Sequence, residues 1–184
     1  MEIPIKSEDL ENRAIFLVLS PAASIRESNI NIIRRVSALG YSSLVVTTNF
    51  PYHILEKLYV QNGVDMSRVM FIDAVTKYSM GSVENIPGKV WYISNPADLT
   101  DMGIAVTELL KDAKGKKVCL IIDSISTMLI YLSSANISKF IHFLSNKIRL
   151  MDISGIFLAA EKGLDPQLQM QLTTFVDQTI ELPD

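Results

Sequence analysis

Four stretches of the chain carry side chains whose types and spacing could do chemistry. The first is Asp123-Ser124, which closes the apolar run Val118-Cys119-Leu120-Ile121-Ile122. A carboxylate at the end of such a strand can hold Mg2+ through the ion's waters and serve phosphoryl transfer, which makes Asp123 a candidate metal ligand. Aspartate and serine are equally at home capping the turn that follows a strand. The second stretch is Ser20-Pro21-Ala22-Ala23-Ser24-Ile25-Arg26-Glu27, again behind an apolar run. Ser20 and Ser24 offer hydroxyls, Arg26 a cation and Glu27 a carboxylate. The plain alternative is an exposed pair at a helix start, with Glu27 favourable to the helix dipole. The third is Thr47-Thr48-Asn49, where Asn49 can orient a water but cannot take its proton, and where turn capping is the ordinary role. The fourth is Glu161-Lys162, behind Ile156–Ala160, which is a solvated loop unless the fold brings Glu161 to Asp123.

Other chemistries find little support. No Gly-x-Ser-x-Gly elbow, no Gly-x-Gly-x-x-Gly loop and no His/carboxylate metal motif is present. His53 and His142 lie far apart in helical patterns and read as packed or surface residues. The single cysteine, Cys119, sits inside an apolar run, so neither a disulfide framework nor a cysteine metal site can be built. The net charge of −3 gives no basic footprint for nucleic acid or an anionic membrane. No apolar run approaches the roughly 18 residues of a spanning helix. No basic-then-apolar leader opens the chain, and a cytoplasmic location is the simplest fit.

The elements that must position these residues alternate. Apolar strands are expected at Ala14–Ser20, Ser43–Thr48, Arg68–Asp73, Lys89–Ser94, Lys117–Asp123, Gly155–Ala160 and Phe175–Leu182. Helices are expected from about Arg26 to Leu39, where Gly40 is a natural stop, and from Pro51 to Gln61. Asp98 or Thr100 caps another. Ile137, Ile141, Leu144, Ile148 and Met151 follow helical spacing and define Asn136–Met151. Asp165-Pro166 opens the last. Ala74–Gly88 shows no period and reads as a long loop, either mobile or ordered by contact. Composition, with 48% hydrophobic and 20% charged residues, is globular, and a single domain over 1–184 has length enough for a real core. The alternation predicts a three-layer α/β/α domain around a mainly parallel sheet. Lys117–Asp123, apolar without alternation, belongs at its centre.

The order of these pieces resembles the RecA-like ATPase core, a P-loop NTPase fold, in its KaiC-like branch. Four stretches carry the resemblance: Ala14–Arg35 in the place of the phosphate-binding strand, loop and helix; Ser43–Pro51 in that of the second strand and the turn bearing the catalytic glutamate; Cys119–Ser124 in that of Walker B; and Phe175–Leu182 in that of the final strand. The resemblance implies nucleotide-binding positions at Ser20, Ser24, Arg26, Glu27, Asn49, Asp123, Ser124 and Glu161. The departures are large. A Walker A loop reads Gly-x-x-x-x-Gly-Lys-Ser/Thr so that backbone N–H groups can wrap phosphate. Here both glycines are missing, Arg26 stands for the lysine and Glu27 for the Mg2+-binding hydroxyl. Asn49 leaves the second turn without a carboxylate base. The expectation is therefore a degenerate domain that acts by binding, as a regulatory or adaptor module, with no cofactor required. The alternative is a residual nucleotide binder or weak ATPase using ATP and Mg2+. Rings and filaments of such domains imply a homo-oligomer, or a hetero-complex with an intact KaiC-like ATPase. The mean hydropathy of +0.26 and the apolar run Ile125–Leu132 point the same way, with Met128–Leu132 expected in the contact.

Overall fold

The computed structural model describes residues 3–111, 113 and 115–183. Seven strands form one sheet: β1 (Ile15–Ser20), β2 (Ser42–Thr47), β3 (Val69–Asp73), β4 (Val90–Tyr92), β5 (Val118–Asp123), β6 (Ser154–Ala160) and β7 (Gln178–Glu181). Their order is β4-β3-β2-β5-β6-β1-β7, every pair is parallel, and β5 is the middle strand. Strands β1, β5 and β6 are buried at every residue, because helices cover both faces and each side chain meets a packed layer.

One helical layer holds α1 (Ser7–Glu11), α2 (Ile25–Ala38) and α3 (Tyr52–Gln61). Ile32, Ile33 and Leu55 from these helices, with Tyr59, bury against Phe16, Phe71 and Ile121 of the sheet. Across the sheet lie α5 (Leu99–Leu110), α7 (Ser134–Leu150) and α8 (Pro166–Phe175). Here Met102, Val106, Ile141, Leu144 and Leu168 meet Leu17, Leu120, Ile122 and Phe157. The helix signals act where their chemistry requires. Gly40 takes φ 82° behind α2. The carboxylates of Asp98 and Asp165 accept from the N–H groups of Asp101 and Leu168 in the first turns of α5 and α8. Two short helices complete the chain, α4 (Thr76–Met80) and α6 (Ile125–Met128).

Three expectations need correction. Ala74–Gly88 is not one structureless loop, because α4 occupies Thr76–Met80 and Ile86 bridges back to Val90. The cause is local: the Asp73 carboxylate accepts the N–H groups of Val75 and Thr76 at 2.7 and 2.8 Å, and Gly81 turns the chain out at φ 81°. The closing strand is shorter than Phe175–Leu182, since Phe175 still belongs to α8. Met128 lies buried in the core, so within Met128–Leu132 it is Ile130 that faces solvent. Among the described residues, no helix is long and apolar enough to cross a membrane.

Candidate functional site

All four candidate stretches meet the C-terminal edge of the sheet, where open α/β sheets place their ligands. Side chains alternate along a strand. Cys119 and Ile121 face the α2–α3 layer, and two residues on, Asp123 does too. Its main-chain carbonyl accepts the Thr48 N–H at 2.8 Å. Its side chain is 1% exposed. Neither carboxyl oxygen has a hydrogen bond of ordinary geometry. Burial pushes the acid up to about 7, with the Asn49 side chain acting in the opposite direction.

The buried groups around Asp123 come from helices. Asn29 of α2 is also buried, with its Nδ2 unpartnered, while its Oδ1 accepts the Tyr59 hydroxyl at 2.7 Å. Tyr59 of α3 is close enough for the Asp123 charge to matter. Its phenol is held well above its usual value, chiefly by burial and then by that charge. Neither Asn29 nor Tyr59 is among the site residues expected from the sequence. The available signal was Asn29 itself, a polar side chain in the apolar stripe of Ile32, Ile33 and Val36.

The stretch from Ser20 to Glu27 does not form an open loop. Ala22–Ser24 make one turn of 3-10 helix and Ile25 enters α2 with φ −56° and ψ −37°, ordinary helical values. The Ser20 hydroxyl lies 2.7 Å from that of Ser28, and the Ser24 hydroxyl turns back on the Pro21 carbonyl at 3.4 Å. Arg26 is exposed and its guanidinium stands 5.9 Å from the centre of the Phe50 ring. Glu27 is exposed on the first turn of α2.

Ser124 and its neighbours cap α6. The Thr127 N–H reaches Ser124 Oγ at 3.4 Å, and the Thr48 and Thr127 hydroxyls lie 2.7 Å apart. The structure therefore gathers Asp123 with Asn49, while Ser20 pairs with Ser28, Ser124 serves a helix cap and Arg26 turns to an aromatic ring. Glu161 opens the turn after β6, exposed, beside the Ala160 N–H that donates to Ser126 Oγ at 2.6 Å. Among the described residues no three His, Cys, Asp or Glu side chains gather as metal ligands.

A parallel seven-stranded sheet with β5 central, clothed by helices on both faces, is the RecA-type fold in its KaiC-like form. A KaiC-like protein from the hyperthermophilic archaeon Pyrococcus horikoshii OT3 superposes with a TM-score of 0.63 at 17% identity, covering 98% of this chain and 79% of that one. An uncharacterized Pyrococcus horikoshii protein, crystallised in complex with an unknown peptide, superposes with a TM-score of 0.69 at 14% identity, covering 92% and 77%. Residues 31–182 match the model of DUF7504, a family of unknown function, and the chain belongs to that family. A search of the curated proteins finds no match.

Proposed function

We propose that this domain is a non-hydrolysing regulatory or adaptor module on a KaiC-like scaffold, with a degenerate Walker A segment. One observation carries the reading: the carboxylate in the Walker B place is sealed at 1% exposure and lacks a partner. An Mg2+ ion bound through its waters needs room that a buried side chain does not offer. The phosphate-binding segment supports the same reading. It winds into helix α2, so few N–H groups are left to wrap a phosphate, and Arg26 is engaged with Phe50. The residues present do not fit Mg-ATP. Calorimetry and a thermal-shift scan with ATP, ADP and Mg2+ test this, with neither heat nor shift expected. ATP turnover above background that Asp123→Ala abolishes would establish the second reading, a residual nucleotide binder using Arg26, Asp123 and Glu161. The observation that favours the second reading is the same orphaned carboxyl, which an ion could satisfy if α2 and α3 parted.

For an adaptor, the partner surface is the C-terminal edge itself. Tyr78 and Met80 of α4 and Ile130 behind α6 are exposed there, and the Tyr78 and Tyr131 rings meet edge to face at 5.6 Å. Exposed aromatic and apolar groups of this kind suit a protein segment. An intact KaiC-like ATPase is the partner proposed for it.

A further inference from the structure

We infer that the domain forms a twofold dimer through a second surface, the groove between α5 and α7 on the far side of the sheet. This goes beyond the adaptor reading and does not depend on it. The groove has a volume of about 630 Å3 and an apolar floor of Leu99, Gly103, Phe140 and Phe143. Gly103 has no side chain where one would stand 3.4 Å from the Phe143 ring, so that ring comes close to the backbone of α5. Phe143 remains 46% exposed and Ile104 51%. Two large apolar side chains, half uncovered and adjacent, are costly to leave in water.

The charges say what covers them. Helix α5 carries Asp101 and Glu108 and no base, whereas α7 carries Lys139, Lys147 and Arg149 and no acid. The two helices run in the same direction, since each returns the chain to the start of a parallel strand. Gly103 lies level with Phe140 and Phe143. At about 1.5 Å per residue, Glu108 and Lys147 then fall at one level, and Asp101 and Lys139 at another. A twofold axis along the groove keeps these levels and exchanges the helices. It lays acidic α5 on basic α7 of the second copy, with Glu108 on Lys147, Asp101 on Lys139 and the apolar stripes between them. An axis across the groove would instead set Lys139 on Lys147, like charge on like. Neither existing contact of these groups stands in the way. Glu108 meets Lys111 at 2.9 Å in an exposed pair, which contributes little, and Lys147 rests 5.8 Å over the Phe143 ring, inside the patch to be covered.

Light scattering on the full chain at micromolar concentration tests the inference. A dimer mass is expected, with a monomer mass for Ile104→Glu and for Phe143→Glu, each with the circular dichroism of the parent. Glu108→Lys and Lys147→Glu should each be monomeric alone, because each sets like charges face to face twice. Mixed in equal amounts they should form a dimer with one copy of each, since one contact is then the native pair, the other is the same pair reversed, and both join opposite charges. A monomeric parent would overturn the inference, as would a dimer that survives both apolar substitutions or a mixture that stays monomeric. A parent dimer broken by Ile130→Glu and not by Ile104→Glu would move the contact to the C-terminal edge and also overturn it. None of these outcomes bears on the nucleotide calorimetry.

Discussion

Asp123 is where local chemistry and fold are most at odds. A carboxyl group buried without a hydrogen bond favours its neutral form, and its acid is pushed from 3.8 up to about 7. The groups around it do not compensate: Asn29 from α2 and Asn49 from the β2–α3 turn are neutral, and Tyr59 from α3 keeps its proton well past neutrality. The sign of the pH dependence follows. Between about pH 4 and pH 7 the folded state holds a proton that the unfolded chain has released, so this group makes stability fall as pH rises through that window. Below the window both states are protonated and its contribution is complete; above it the loss is constant. The expected loss is on the order of a few kcal/mol. Urea unfolding of the parent and of Asp123→Asn at several pH values gives the difference. The variant should lack this part of the slope and be the more stable above pH 7. Parallel curves for the two proteins would mean that Asp123 is ionised and satisfied in the folded state.

Among the elements, α4 shows how one side chain decides a local structure. The buried Asp73 carboxylate accepts from Val75 N–H, Thr76 N–H and the Thr76 hydroxyl, and also from the Tyr52 N–H at the start of α3, at 2.7 Å. It thus satisfies helix-start donors on two elements at once. Replacing it by alanine leaves those donors buried or weakly hydrated, and the expected cost is about 2–4 kcal/mol in unfolding free energy. Hydrogen exchange should quicken over residues 74–80 in Asp73→Ala before it does so in β3. Unchanged exchange there would show that packing of Tyr78 against Tyr131, rather than the carboxylate, holds α4. The helix was hidden in the sequence because its five residues carry no apolar period; its cause lies just before it, in a strand residue. By contrast α2, α5, α7 and α8 were legible, α7 from its periodic stripe and the others with the help of a stop or cap such as Gly40, Asp98 or Asp165-Pro166.

Across the whole molecule, the proposed absence of ATPase chemistry rests on several segments at once, so changing one loop is not expected to restore it. Installing Ile25→Gly, Arg26→Lys and Glu27→Thr together should not create ATP hydrolysis, because Asp123 stays sealed beneath α2 and α3 and Asn49 remains a poor base. A phosphate-release assay showing turnover in that triple variant would place the defect in the loop alone. The sequence by itself determined the architecture. Apolar runs without alternation at β1, β5 and β6 demand helices on both faces, and strand-helix alternation then demands a parallel sheet. It also determined which residues reach the C-terminal edge, because that edge is where each strand ends. Only the tertiary structure decided what they do there. Whether Asp123 faces water or core depends on Asn29 and Tyr59, which are 94 and 64 residues away along the chain. Whether Ser20 and Ser124 serve a ligand or each a neighbouring hydroxyl depends on packing between elements. The half-covered pair Ile104 and Phe143 likewise becomes a surface only when α5 and α7 lie side by side. Periodicity is a property of nearest neighbours along the chain, whereas burial of a polar group and adjacency of two helices are set by contacts between distant segments.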